Sequence, residues 1–515
     1  MTESSPAKPL SWAEALQAFL HPRVITMLFL GFSAGVPYLL IFSSLSLWLG
    51  EAGIKREAVT FFSWAALGYS FKFVWAPLID KLPIPWLTDG LGKRRAWLLV
   101  AQLLIILAIV LMGSIDPALG ADQLELMAKA AVLLGFAAAT QDVVIDAYRI
   151  ESAEVRLQPI MSSTYVAGYR VGMIVAGAGA LFLASAWGSD KGHYVYLAWQ
   201  WTYLVMALTM LIGVVTTLLI PEPPARQTDK YHYATWDYIR LVLVFACAVT
   251  GLINTFSETG KAFEILQAWS GTDPVIKFGL EALRLLLAVG VAVLIGWALV
   301  ALGAVNRTIA QETWIEPIAE FFRRYGLKTA LLLLALIGLY RISDIVPGVI
   351  SNVFYQDLGF SKPEIATAVK TFGVIVSIAG GFFGGVFANR YGVMRTLMLG
   401  AILTALTNLV FVWLAYVGHD VVVMYTAVTA DNLAAGFASA AFVAFLSSLT
   451  SVSFTAVQYA IFSSLMTLLP KTIGGYSGTI VDSIGYPGFF TFTTLIGIPV
   501  LWLVWAVGKH LQVEQ

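Results

Sequence analysis

Charge and cysteine are what this chain has least of. Only 12% of its 515 residues are charged, and 31 basic residues balance 31 acidic ones. That balance excludes the net positive field that gathers nucleic acid, and it moves any charge signal into the distribution between loops. A single cysteine, Cys247, excludes an intrachain disulfide framework and a cysteine-held metal. The five histidines, His21, His193, His232, His419 and His510, fall in expected loops or tails. With no HExxH and no glycine-rich loop ending in a phosphate-binding lysine, neither a zinc hydrolase nor an ATP-driven pump is expected. What is present is apolar: 59% hydrophobic residues and a mean hydropathy of +0.80 exceed what a soluble core could hide. The chain reads as an all-α integral membrane protein.

Apolar runs long enough to cross a hydrocarbon core of about 30 Å start near Val24, Ala58, Ala96, Leu124, Ile160 and Ala198. Six more start near Thr329, Lys362, Val393, Val421, Ser453 and Gly488, and two less uniform runs lie between the sets. The expected order is a tail over 1–23, a six-helix bundle over 24–220, and a linker over 221–235 opened by Pro221-Glu222-Pro223-Pro224. An extra two-helix hairpin over 236–303, a linker over 304–328, a second six-helix bundle over 329–508 and a tail over 509–515 complete about fourteen spans. The start of the chain lacks a basic leader region and a small-residue cleavage site, so it reads as a retained tail. Basic residues of the short loops, among them Lys81, Lys93, Arg94, Arg95, Arg156, Arg226, Lys230, Arg307, Arg390 and Arg395, share one parity. That side is expected to be cytoplasmic, with both termini on it and both linkers there too. Trp48, Trp75, Trp97, Trp199 and their kind, near span ends, are expected to form interfacial belts.

The run Thr140-Gln141-Asp142-Val143-Val144-Ile145-Asp146-Ala147-Tyr148-Arg149 places two carboxylates in an apolar helix. Asp142 and Asp146 are spaced to stack on one face, with Arg149 on the same side. Lys72, Arg170, Arg341 and Lys370 stand against Asp142, Asp146, Asp344 and Asp431 within or near the spans. Eight unpaired charges would cost ~20–28 kcal/mol to insert, so they pair or face water. Arg341 and Asp344 could pair along one helix. Lys72, Arg170 and Lys370 could bind carboxylates of a substrate or pair internally. Two acids one turn apart repel, which suits a proton carrier, unless Lys72 or Arg149 neutralises them. Gln141, Tyr148, Tyr165, Tyr169, Asn432 and Gln458 are candidates for hydroxyls and amides of a bound solute, or for packing.

The halves share features. Ser162-Ser163 precede Arg170 as Ser463-Ser464 precede Lys471, Gln158 matches Gln458, and Thr140-Gln141-Asp142 has a counterpart in Thr429-Ala430-Asp431. Transporters place sites at such repeat interfaces. Between the second and third spans of each half, Pro77-Leu78-Ile79-Asp80-Lys81 with Gly92-Lys93-Arg94-Arg95, and Gly384-Gly385 through Asn389-Arg390 to Arg395, resemble the loop signature of the major facilitator superfamily. Asp80, Arg94, Arg95, Asn389, Arg390 and Arg395 are therefore expected to latch one conformation, or simply to mark topology.

A narrower resemblance rests on Gly31-Phe32-Ser33-Ala34-Gly35-Val36-Pro37, on Tyr69-Ser70-Phe71-Lys72-Phe73-Val74-Trp75-Ala76-Pro77-Leu78-Ile79-Asp80, on Gln141-Asp142 through Asp146-Ala147, and on Gly168-Tyr169-Arg170-Val171-Gly172-Met173. These look like the muropeptide permease AmpG family, densely from about residue 31 to 225 and more loosely at Tyr340-Arg341 and Phe454 to Gln458. The resemblance implies a major facilitator fold of two six-helix bundles. It also implies a proton-driven importer of N-acetylglucosaminyl-anhydro-N-acetylmuramyl peptides in a bacterial inner membrane, serving peptidoglycan recycling and, in some bacteria, β-lactamase induction. No cofactor or metal is expected beyond the proton gradient; the expected partners are an amphiphilic glycopeptide, protons and the bilayer, with the protein a monomer. Acetyl-CoA transporters have similar early motifs, which leaves another anionic solute as the alternative. A remoter one is an intramembrane hydrolase, since Gly475-Tyr476-Ser477-Gly478 matches a rhomboid-type GxSG, though no histidine base is expected within reach.

Overall fold

The computed structural model describes residues 12–54, 69, 71–190, 192–224, 233–269 and 274–513. Among these, thirteen helices are long and apolar enough to cross a membrane. They are α1 (Pro22–Glu51), α2 (Lys93–Gly113), α3 (Ala121–Ser152), α4 (Gln158–Ala186), α5 (Tyr196–Leu219), α6 (Thr235–Gln267), α7 (Gly279–Ala301), α8 (Arg307–Asp357), α9 (Ala366–Tyr391), α10 (Val393–Val417), α11 (Val421–Leu449), α12 (Val452–Gly474) and α13 (Ser477–Leu511). The span expected from Ala58 lies outside the described residues except for its end, where Lys72–Val74 forms a 3₁₀ turn and Ala76–Lys81 a short helix. Arg226 and Lys230 of the first linker lie outside them too.

Two compact units are present. The first comprises Met1–Ile79, Ile84–Thr228 and Phe322–Gln515 and holds both bundles; the second comprises Asp80–Pro83 and Asp229–Phe321. In the first unit, glycines set how closely helices meet. A Cβ on Gly31 or Gly35 of α1 would sit 2.2 or 2.0 Å from the carbonyl oxygen of Tyr165 or Tyr169 of α4, and Gly168 and Gly172 face Leu28 and Phe32 oxygens at 2.0 and 2.3 Å. The same device joins α9 to α11, through Gly380, Gly384 and Gly436. Lipid supplies no hydrophobic drive between helices, so this backbone contact is what holds them. Pro37, inside α1, lacks the amide that an unbroken helix needs, and a π-helical turn follows over Leu40–Ser44. Gly326 in α8 and Gly485 in α13, at φ of +69° and +70°, break their helices as only glycine does cheaply.

Trp48 and Trp199 depart from the expected interfacial belt. Both are fully buried, with rings stacked 5.6 Å apart, and the Trp199 indole N–H donates to Glu51 at 2.7 Å. Their neighbours are the apolar core of α1, α2, α3 and α5 rather than lipid.

The second unit is the extra hairpin. Leu286, Val293, Leu294 and Trp297 of α7 are 63–70% exposed, as suits a lipid-facing helix. At its turn, Arg284 stacks over the Phe256 ring at 3.9 Å, donates to the Phe256 carbonyl and pairs with Glu281, which also accepts from Gln267. At the other end of the unit, Lys81 donates to Glu312 at 2.6 Å. Burial and the neighbouring Glu312 carboxylate push the Tyr233 hydroxyl up to about 12.

Candidate functional site

Every residue of α3 from Ala137 to Ser152 is buried, so the charged face expected from spacing lies inside the first unit. Asp142 and Asp146 keep 8% and 7% exposure. Lys72 approaches Asp146 to 3.9 Å from the end of the second span, and Arg149 donates to the other oxygen of Asp146 at 3.3 Å. Asp146 is therefore shared by two cations. Asp142 receives the Tyr165 hydroxyl at 3.5 Å. With both acids ionised the four charges cancel, and each proton taken up leaves a buried positive excess. Tyr165, Tyr169 and Tyr38 continue the site as an aromatic wall, with successive ring centroids 6.2 Å apart.

Arg149 is fully buried and reaches across the bundles. Its second terminal nitrogen donates to Gln158, Ser162 and, at 2.7 Å, to Ser447 of α11; its guanidinium lies 5.2 Å from the Tyr459 ring of α12. Close by, Arg94 forms a two-pronged pair with Glu151 at 2.7 and 3.0 Å, and the Thr455 hydroxyl of α12 donates to the same carboxylate. Gly385 of α9 packs where a Cβ would meet Ser163 at 2.5 Å. All these contacts sit at the end of the bundles that carries the basic loops. They close that end.

Of the residues expected to latch, Arg94 does bridge the halves, through Glu151 and Thr455. Arg95 instead donates to the Thr217 and Leu218 carbonyls, and both backbone amides bond the Glu222 carboxylate at 2.7 and 3.1 Å. Burial pushes Glu222 above its ordinary range, against the pull of those amides. Asp80 is buried on Ala76–Lys81. The Asn389 amide is buried with neither atom hydrogen-bonded, Arg390 lies over Tyr391 at 5.3 Å, and Arg395 is exposed.

A second cluster draws on both halves. Arg341 pairs with Asp344 across the first turn of Ile342–Asp357. Arg170 lies within electrostatic range of Arg341 and Asp344, Lys471 within range of Arg341, and Asp431 within range of Asp344. Among the described residues, three cations thus face two acids.

Several polar candidates are taken up by packing. Gln141 exchanges two bonds with Ser33 of α1, at 2.9 and 3.1 Å; Tyr148 donates to the Pro221 carbonyl; Asn432 donates to Val428 on its own helix. Gln458 accepts from Arg324 and the Ser451 amide at the basic end. The Lys370 side chain lies outside the described residues. Ser477 of the GxSG run is buried and donates to the Val346 carbonyl at 3.0 Å, a bond that ties α13 to α8. Glu151, Ser447, Thr455, Tyr459 and Lys471 were not among the expected site residues. One signal existed for Glu151: an acid in the last turn of a helix opposes the helix dipole and needs a cation.

Paired bundles of apolar helices with buried charge between them define a polytopic solute carrier. The chain belongs to the Major Facilitator Superfamily, whose family model matches residues 59–351, more than half its length. It is 29% identical over 501 residues to the anhydromuropeptide permease of Escherichia coli K12, covering 97% of this chain and 82% of that one. It is also 29% identical over 495 residues to a Rickettsia felis protein that carries the name AmpG 4, covering 96% and 99%. In fold it is similar to the fucose transporter FucP in an outward conformation, with a TM-score of 0.60, 10% identity and 95% and 99% of the two chains covered. The proton:xylose symporter XylE aligns with a TM-score of 0.56 and 13% identity over 96% of each chain.

Proposed function

We propose that this protein carries anhydromuropeptides released by cell-wall turnover into the bacterial cytoplasm, driven by protons moving down their gradient across the inner membrane. The observation that carries the coupling is the buried set of Asp142, Asp146, Lys72 and Arg149, neutral only while both acids are ionised. Carboxyl groups in such a site exchange protons at a large electrostatic consequence, which is what a symporter requires. The cargo reading is supported by the relative named anhydromuropeptide permease and by the cation excess of Arg170, Arg341 and Lys471 over Asp344 and Asp431, which suits the carboxylates of a peptide stem. Tyr38, Tyr165 and Tyr169 offer ring faces for the sugars. In this reading the basic-loop end is cytoplasmic, and closure there faces the site outward.

Purified protein in liposomes, given radiolabelled anhydromuropeptide and an inward proton gradient, is expected to accumulate it, and an uncoupler to abolish the accumulation. Folded protein that takes up none of it, while another anionic solute enters, overturns the cargo.

A further inference from the structure

Arg149 touches both Asp146 and the opposite half. On its own helix it bonds Asp146; across the bundles it bonds Ser447 and lies on Tyr459. We propose that Arg149 ties closure of the basic-loop end to the protonation state of Asp142, so that proton binding there loosens its hold on the C-terminal half. The proposal rests on the proton-coupled reading above and adds how the coupling reaches the gate.

The groups that face the pair set the logic. They are Tyr69 and Lys72 from the second span, Arg149 from α3, Tyr165 and Tyr169 from α4, and Tyr459 from α12; Glu151, further along α3, is already held by Arg94 and Thr455. When Asp142 takes a proton, Lys72, now 3.9 Å from Asp146, has that carboxylate as its remaining anion. It then competes with Arg149 for it. Arg149, with no exposure and its other partners neutral, is left carrying charge that only water could balance. Water can reach it only if α11 and α12 part from α3. Opening at this end is also where the proton must leave, so the same step that breaks the Ser447 bond exposes the acids to the far side.

The test reads the gate without cargo. In protein with Cys247→Ser, spin labels at Glu154→Cys, in the turn after α3, and Ser453→Cys, in the first turn of α12, both exposed and on opposite halves at this end, report the distance across it. In lipid nanodiscs, lowering the pH from about 8 to about 5 is expected to shift the population towards the longer distance. Ser447→Ala, which leaves Arg149 its bonds to Gln158, Ser162 and Asp146, is expected to raise the open-to-closed ratio about ten-fold, as for loss of one charge-assisted bond. Asp142→Asn is expected to abolish the pH response. A parent-like distance and pH response in Ser447→Ala, or a surviving response in Asp142→Asn, overturns the proposal. If the gate behaves as expected but anhydromuropeptide is not carried, the cargo assignment fails and the gate stands; proton-driven uptake with a gate indifferent to pH removes this inference alone.

Discussion

Arg94 and Glu151 form a two-pronged ion pair, both side chains without exposure. Removing one partner of such a pair leaves a buried unpaired charge, at about 3–5 kcal/mol. Arg94→Ala is therefore expected to lower the thermal unfolding midpoint in detergent markedly and to bias the basic end open; a midpoint equal to the parent's contradicts the pairing. Ser477 makes the opposite case. Its hydroxyl serves one buried carbonyl, so Ser477→Ala is expected to cost about 1 kcal/mol and to leave transport at parental rates. Abolished transport in a folded Ser477→Ala protein would revive a chemical role for the GxSG run. Local spacing made some of this legible: the Asp142, Asp146 and Arg149 face, and the Arg341–Asp344 pair, are each within one or two turns of a helix. Ser447 and Thr455 meet Arg149 and Glu151 across 298 and 304 residues, and no local pattern carries such a contact.

Among the elements, the crossing of α1 and α4 is the most constrained. Each helix places two glycines against carbonyls of the other, so a side chain on any of the four collides with backbone, which has no rotamer to yield. Gly35→Val is expected to cost roughly 1–3 kcal/mol or more through overpacking, read as reduced folded yield and a lowered midpoint. The same change at Gly290, where a Cβ meets open space, is expected to be silent, and equal damage at both positions would refute the close-approach reading. Hydropathy located these helices well, because a span is a property of a contiguous run. It did not locate Trp48 and Trp199, since a tryptophan at a span end looks the same whether it turns to lipid or inward to Glu51 and Tyr203.

At the scale of the whole molecule, the two bundles meet through buried charge at one end, and the chain's membership of the Major Facilitator Superfamily supplies the setting in which such contacts alternate. The central claim is that a carboxylate of α3, Asp142 foremost, carries the coupling proton. The most direct measurement compares parent and Asp142→Asn in matched liposomes for two activities: gradient-driven accumulation of labelled anhydromuropeptide, and exchange of labelled for unlabelled cargo at equal pH. The account predicts that Asp142→Asn loses at least about ten-fold in accumulation, a barrier change of about 1.4 kcal/mol, while exchange continues. Accumulation by Asp142→Asn at the parental level, with an uncoupler still abolishing it, would contradict the account.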